Sequence, residues 1–163
     1  DRRQRQMCIR DRNLKMGVRV TLDPRVKFEG MVGGDVKNRL INGSVALLFP
    51  VIWNEPFGLA LTESLYFGCP VFGTPYGSLP ELITSEFGFL SNKKSELVSA
   101  LEHVEDYDRK KCHEYVCDTF SAAHMAQNLL PLYEKILNGE TLNPKPPRLV
   151  NPDQPRYLPW HED

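Results

Sequence analysis

The sequence predicts an α/β fold in which a parallel sheet carries helices on its faces. Three observations support that prediction. Short apolar runs near residues 26–29, 46–49, 71–73 and 88–90 alternate with helical stretches near 35–42, 58–67, 79–83 and 93–105, the rhythm of strands that need a crossover helix to return parallel. The run Ser44-Val45-Ala46-Leu47-Leu48-Phe49 is almost continuously apolar, as expected of a strand buried on both faces. Stop signals fall where the rhythm needs them: Gly68 suits the C′ position of a helix and Pro70 bars its continuation before the next strand.

Along the chain three regions separate. Residues 1–12 are basic and aperiodic, read as a non-native leader and left out of the fold. Residues 13–138 hold the βα alternation of a Rossmann-like sheet, closed by two more helices near 108–118 and 121–137. The last of these carries Ala126, Leu129, Leu130, Tyr133 and Leu137 at helical spacing, a stripe expected to face the core. Residues 139–163 are rich in proline and poor in aliphatics, which predicts an extended or disordered tail.

Composition bounds the function classes. With 163 residues, 41% hydrophobic, 25% charged and a formal charge of −1, the chain fits one globular domain and offers no basic field for nucleic acid. No apolar run reaches the roughly 20 residues of a membrane span and no secretory leader is visible, so cytoplasmic residence is the default expectation. Cys8, Cys69, Cys112 and Cys117 form no CxxC pair, which argues for reduced thiols and against a metal site. His103, His113, His124 and His161 are scattered, in surface or capping positions by expectation.

Chemistry concentrates in Trp53-Asn54-Glu55-Pro56-Phe57-Gly58-Leu59-Ala60-Leu61-Thr62-Glu63, which follows the apolar strand directly. In open α/β sheets the carboxyl ends of the strands carry the ligand crevice, and the N-terminus of the following helix offers unpaired N–H groups to an anion. Phe57, Gly58 and Leu59 are the candidate donors, and Gly58 permits close approach of a ligand. If Glu55 precedes the helix and Glu63 lies in its second turn, the helical rise puts them roughly 8 Å apart. A diphosphate fits between carboxylates so spaced, with sugar hydroxyls supplying the protons each carboxylate needs. The plain alternative is a solvated helix face. Gly77-Ser78-Leu79-Pro80-Glu81 starts another helix on the same edge, with Gly77 either a ligand-facing residue or a turn glycine. Gly30-Met31-Val32-Gly33-Gly34 lacks the spacing and the trailing acidic residue of a dinucleotide fingerprint.

From about Arg25 to Leu90 these landmarks resemble, in order and spacing, the carboxyl-terminal half of retaining glycosyltransferases of the GT-B fold, glycosyl transferases group 1 (family 4). The residues that carry the resemblance are Val26-x-Phe28-x-Gly30, Phe49-Pro50, the Glu55 to Glu63 motif, Gly68-Cys69-Pro70-Val71, Gly77-Ser78-Leu79-Pro80-Glu81 and Gly88-Phe89-Leu90. The resemblance implies donor binding of a nucleoside diphosphate sugar, with Glu55 on the transferred sugar as the catalytic carboxylate. It further implies Glu63 on the ribose, the amides of Phe57, Gly58 and Leu59 on the sugar and diphosphate, Gly77 near the sugar, and Gly30 and Met31 beside the base.

It also implies hexosyl transfer to an acceptor hydroxyl, no metal, and no cofactor besides the donor substrate. Such domains begin with two further βα units bearing a cationic diphosphate clamp, and an amino-terminal domain supplies the acceptor site. Neither is expected in this chain, since Arg19, Arg25 and Lys27 lie too near the third-strand motif to serve as the clamp. The fragment alone is therefore expected to be inactive, with the Val26 strand pairing directly with the Ala46 strand or lying loosely. A non-catalytic nucleotide-sugar-binding module and a GT-B sugar-nucleotide epimerase stand as alternatives.

Overall fold

In the computed structural model the described residues are 7–9, 23–148, 153 and 155–163. They fall into two units, Asp1–Ser44 and Val45–Asp163. In the first, β1 (Met7–Ile9) and β2 (Val26–Phe28) pair in parallel, Met7 opposite Val26 and Ile9 opposite Phe28. This corrects one expectation: β2 takes Met7–Ile9 as its neighbour, where the sequence predicts that it pairs with the strand containing Ala46 or lies loosely. The physical reason is backbone accounting, since a lone strand leaves its N–H and C=O groups without partners. Helix α1 (Gly34–Asn42) follows. Arg25 grips Asp23 at 2.6 Å, and its hydrogen bonds hold the Asp23 carboxyl down at about 2. Lys27 meets Glu29 at 2.5 Å. Residues 13–22, Arg19 among them, lie outside the described residues.

The second unit is the α/β sandwich. Its elements are β3 (Leu47–Phe49), α2 (Leu59–Tyr66), β4 (Val71–Gly73), α3 (Leu79–Leu82), β5 (Gly88–Leu90), α4 (Lys94–Glu102), α5 (Arg109–Thr119) and α6 (Ala122–Leu137). The strands form a parallel sheet in the order β3-β4-β5. Register sorts the side chains into two layers. Leu47 and Val71 share one face with Phe49 and Leu90, packed on Leu61, Leu65, Leu79, Leu82, Cys112 and Val116. Phe72 and Phe89 lie on the other, against Leu97 and Val104 of the α4 side. The central strand is buried throughout, and full burial of a side chain such as Phe72 is worth about 1.5–3 kcal/mol. Gly88 is dictated by this pairing, because a Cβ there would lie 1.9 Å from the Val71 carbonyl oxygen.

Local chemistry sets the helix ends. Helix α2 closes with paired bonds, Gly68 N–H to Leu65 O at 2.8 Å and Cys69 N–H to Ser64 O at 2.9 Å, with Gly68 at φ +74° in the predicted C′ position. Arg109 donates to the Phe67 carbonyl at 3.1 Å and His113 Nδ1 to the Tyr66 carbonyl at 2.5 Å, so α5 satisfies the end of α2. Asp108 caps α5 and Ser121 caps α6.

Two expectations about burial are corrected. Val45 and Leu48 are half exposed, because β3 is an edge strand among the described residues and one of its faces is only partly covered. The stripe on α6 is also uncovered: none of its residues is buried, and Leu130, Tyr133 and Leu137 are 58%, 57% and 85% exposed. Periodicity gave the helix correctly, but the direction of its apolar face does not say what it meets. The proline-rich segment returns to the sheet, with Trp160 against Phe72, Leu97 and Val104.

Burial pushes the Cys112 thiol up from 9.0 to about 11. The unfolded chain releases this proton at the lower value, so its contribution to stability is complete below about pH 9 and is lost as the pH rises toward 11. Urea denaturation across this range should show the stability gap between the protein and Cys112→Ala narrowing as the pH rises. A gap independent of pH would contradict the assignment.

Candidate functional site

The site grows from the carboxyl ends of β3 and β4. Past Phe49, Val51 is buried and its carbonyl accepts the hydroxyl of the fully buried Thr74, which ties the two strand ends together. Two residues on, the indole N–H of Trp53 donates to Glu55 Oε2 at 3.0 Å, occupying one carboxylate oxygen. The Glu55 carbonyl accepts the Ser78 N–H at 2.9 Å, and the Ser78 hydroxyl donates to the Phe57 carbonyl at 3.0 Å. The loop after β4 is thereby laced onto the turn that carries Glu55.

Glycines make this approach possible. Gly77 has φ +62°, and a Cβ there would lie 2.3 Å from both the N and the O of Glu55. Gly58, the N-cap of α2, has φ +80°, and its Cβ would meet Leu61 Cδ1 at 2.9 Å and Glu55 Cγ at 3.3 Å. No L side chain fits either position without moving the motif.

Among the described residues the N–H groups of Phe57, Gly58 and Leu59 have no backbone acceptor. They sit at the positive end of α2. Leu59 is exposed, and Phe57 keeps its ring edge-on to Phe120 at 5.8 Å. Glu63 is half-buried in the second turn of the same helix. Glu55, Phe57, Gly58, Leu59 and Gly77 thus meet at one turn, and Glu63 lies in the second turn of the helix that leaves it. Gly30 and Met31 belong to the first unit, in the loop after β2, where Gly30 has φ +63° and Met31 is 69% exposed.

Sequence reasoning named Trp53 and Ser78 only as parts of motifs. The Trp53 bond to Glu55 is local and the Ser78 bond to Phe57 spans 21 residues, a tertiary contact that spacing alone does not contain. A pocket of about 480 Å³ opens elsewhere, lined by Ser85, Glu86, Phe89, His103, Tyr107 and Lys111. Ser85 and Glu86 precede β5, which puts it toward the amino edge of the sheet, and no residue of the Glu55 to Glu63 motif lines it. Among the described residues no group of three or more His, Cys, Asp or Glu could hold a metal ion. No described helix is long and apolar enough to cross a membrane.

A family model described as glycosyl transferases group 1 matches residues 19–117, more than half of the chain. The chain belongs to the glycosyl transferases group 1 family. Solved structures give the same fold. AviGT4, a glycosyltransferase involved in avilamycin A biosynthesis, aligns at TM-score 0.59 and 19% identity over 71% of this chain and 37% of its own. Sucrose-phosphate synthase from Thermosynechococcus elongatus aligns at 0.61 and 22% identity over 73% of this chain and 32% of its own. A glycosyltransferase from Rickettsia africae ESF-5 aligns at 0.59 and 19% identity, covering 73% of this chain and 34% of its own. This chain thus spans about a third of the length of each. No curated protein sequence matches the chain. The group 1 family assignment and the GT-B fold agree with the position of the Glu55 motif at the carboxyl edge of the sheet.

The glycine contacts give a comparison between two alanines. Gly77→Ala should destabilise the protein by more than about 2 kcal/mol, combining left-handed strain with collision against backbone. Gly139→Ala, at φ +82° but with open space around it, should cost only about 1 kcal/mol. Equal midpoints for the two variants in chemical denaturation would show that the Gly77 loop does not press on Glu55.

Proposed function

We propose that this chain is the donor-binding part of a glycosyltransferase that moves a hexosyl group from a nucleoside diphosphate sugar to an acceptor hydroxyl, with retention at the anomeric carbon. One observation carries the reading: the open amides of Phe57, Gly58 and Leu59 stand between Glu55 and Glu63 at the carboxyl edge of a parallel sheet. Amides at a helix N-terminus suit a diphosphate, and carboxylates on either side suit hydroxyl-rich groups.

In this reading Glu55 accepts hydrogen bonds from the transferred sugar through the oxygen Trp53 leaves open, and holds the ring while charge develops at the anomeric carbon. Glu63 accepts from the ribose hydroxyls. The phosphate released from the donor helps deprotonate the acceptor on the same face, so Glu55 positions and stabilises without acting as a nucleophile. No metal enters the scheme. The cations of the first unit nearest β2 are ion-paired locally, Arg25 with Asp23 and Lys27 with Glu29. Further cationic neutralisation of the diphosphate and the acceptor surface are assigned to parts of a longer parent protein acting in the cytoplasm, and the chain by itself to donor binding without turnover.

Isothermal titration of the chain with uridine, guanosine and adenosine diphosphates and their glucose or mannose conjugates tests this reading. Saturable binding of one nucleotide is expected. Glu63→Ala should weaken it about 10- to 100-fold, the worth of hydrogen bonds to a charged group. Glu55→Ala should leave the bare nucleotide unaffected and remove the gain contributed by the sugar. Undiminished binding in both variants would remove the assignment.

A further inference from the structure

The carboxyl-terminal segment, which sequence composition marked only as an extended or disordered tail, touches all three loops at the carboxyl edge of the sheet. Leu158 N–H donates to the Ile52 carbonyl at 2.7 Å, in the loop after β3. The Tyr76 hydroxyl, in the loop after β4, donates to the Pro159 carbonyl at 2.5 Å. Asn92, after β5, donates from Nδ2 to the Tyr76 hydroxyl oxygen at 3.1 Å. The Asn92 carbonyl in turn accepts the His161 N–H at 2.9 Å, and the His161 carbonyl accepts the Lys94 N–H at 2.9 Å, satisfying a donor at the start of α4. Trp160, between these bonds, packs on Phe72, Leu97 and Val104 and anchors the segment by apolar burial.

These contacts converge on the residues that hold the donor motif. Ile52 lies three residues before Glu55, and Tyr76 immediately precedes Gly77, whose backbone presses on Glu55 and whose neighbour Ser78 bonds both Glu55 and Phe57. The strap therefore grips the Glu55 turn from both sides without contributing a donor-binding group of its own. Tyr76 is saturated by this duty, its hydroxyl donating to Pro159 and accepting from Asn92.

We propose that residues 158–161 form a positioning strap for the donor motif, with Trp160 as its anchor and Tyr76 and Asn92 as the positioning residues that transmit its grip to Gly77, Ser78 and Glu55. The proposal rests on the donor-binding reading for its functional consequence, although the strap itself can be read without any ligand.

Hydrogen exchange resolved by residue on the full chain separates the two. In Tyr76→Phe and in Trp160→Ala the Ser78 amide, bonded to the Glu55 carbonyl, should exchange about tenfold faster, while the amides of β4 and the interior of α2 keep their protection. Trp160→Phe should restore slow exchange. Titration of the same variants with uridine, guanosine and adenosine diphosphates and their sugar conjugates should show weaker binding in proportion to the exchange. Unchanged exchange at Ser78 in both variants would overturn the strap, and so would a uniform rise across β3, β4 and β5, which would make Trp160 a core residue and nothing more. If exchange responds as expected but the parent chain binds none of the nucleotides, the strap stands and the donor-binding reading fails.

Discussion

The contact of Gly77 with the backbone of Glu55 is the constraint on which the site depends. Two loops that are 22 residues apart in sequence meet there at a distance only a glycine allows, and the Ser78 bonds to the Glu55 and Phe57 carbonyls convert that contact into a fixed turn. Remove the contact and Glu55 becomes a side chain on an ordinary exposed loop. With it, the carboxylate is held beside the N-terminus of α2, braced by Trp53 from its own loop and by Thr74 from the neighbouring strand end. The sheet serves this arrangement by fixing β3 and β4 side by side in register, so that the loops leaving them cannot drift apart.

The electrostatics follow from that geometry. A carboxylate beside open amides is a poor site for a bare anion and a good one for a ligand that is anionic in one part and hydroxyl-rich in another. Helix α2 brings both features to one edge: its first amides open toward the turn, and Glu63 follows one turn later. Its far end is closed by Gly68, Arg109 and His113, and this connection to α5 ties α2 to the remainder of the second unit.

Much of this was legible in the chain. The strands at Val71 and Gly88 and the helices beginning at Leu59 and Leu79 coincide with the apolar runs and stop signals, because Gly68, Pro70 and Pro80 leave the backbone few alternatives. Gly68 at C′ was readable for the same reason. The position of Glu55 at a strand end was readable too, since a long apolar strand must deliver whatever follows it to the carboxyl edge. Long-range partners were not readable. Nothing in the spacing of Ser78 or Tyr76 indicates that one bonds the Glu55 turn and the other the Pro159 carbonyl. Partnering misled in two further places, β2 choosing the strand Met7–Ile9 and the apolar face of α6 remaining open, because periodicity defines a face but not its neighbour.

The central claim is that donor binding takes place at the start of α2, and amide chemical shifts report that location directly. In a two-dimensional NMR titration with the nucleoside diphosphate sugars, the account predicts that the largest perturbations fall on Phe57, Gly58 and Leu59, with smaller ones at Glu63 and Gly77. Perturbations concentrated instead around His103, Tyr107 and Lys111, at the pocket near the amino edge of β5, with the α2 amides unmoved, would contradict it.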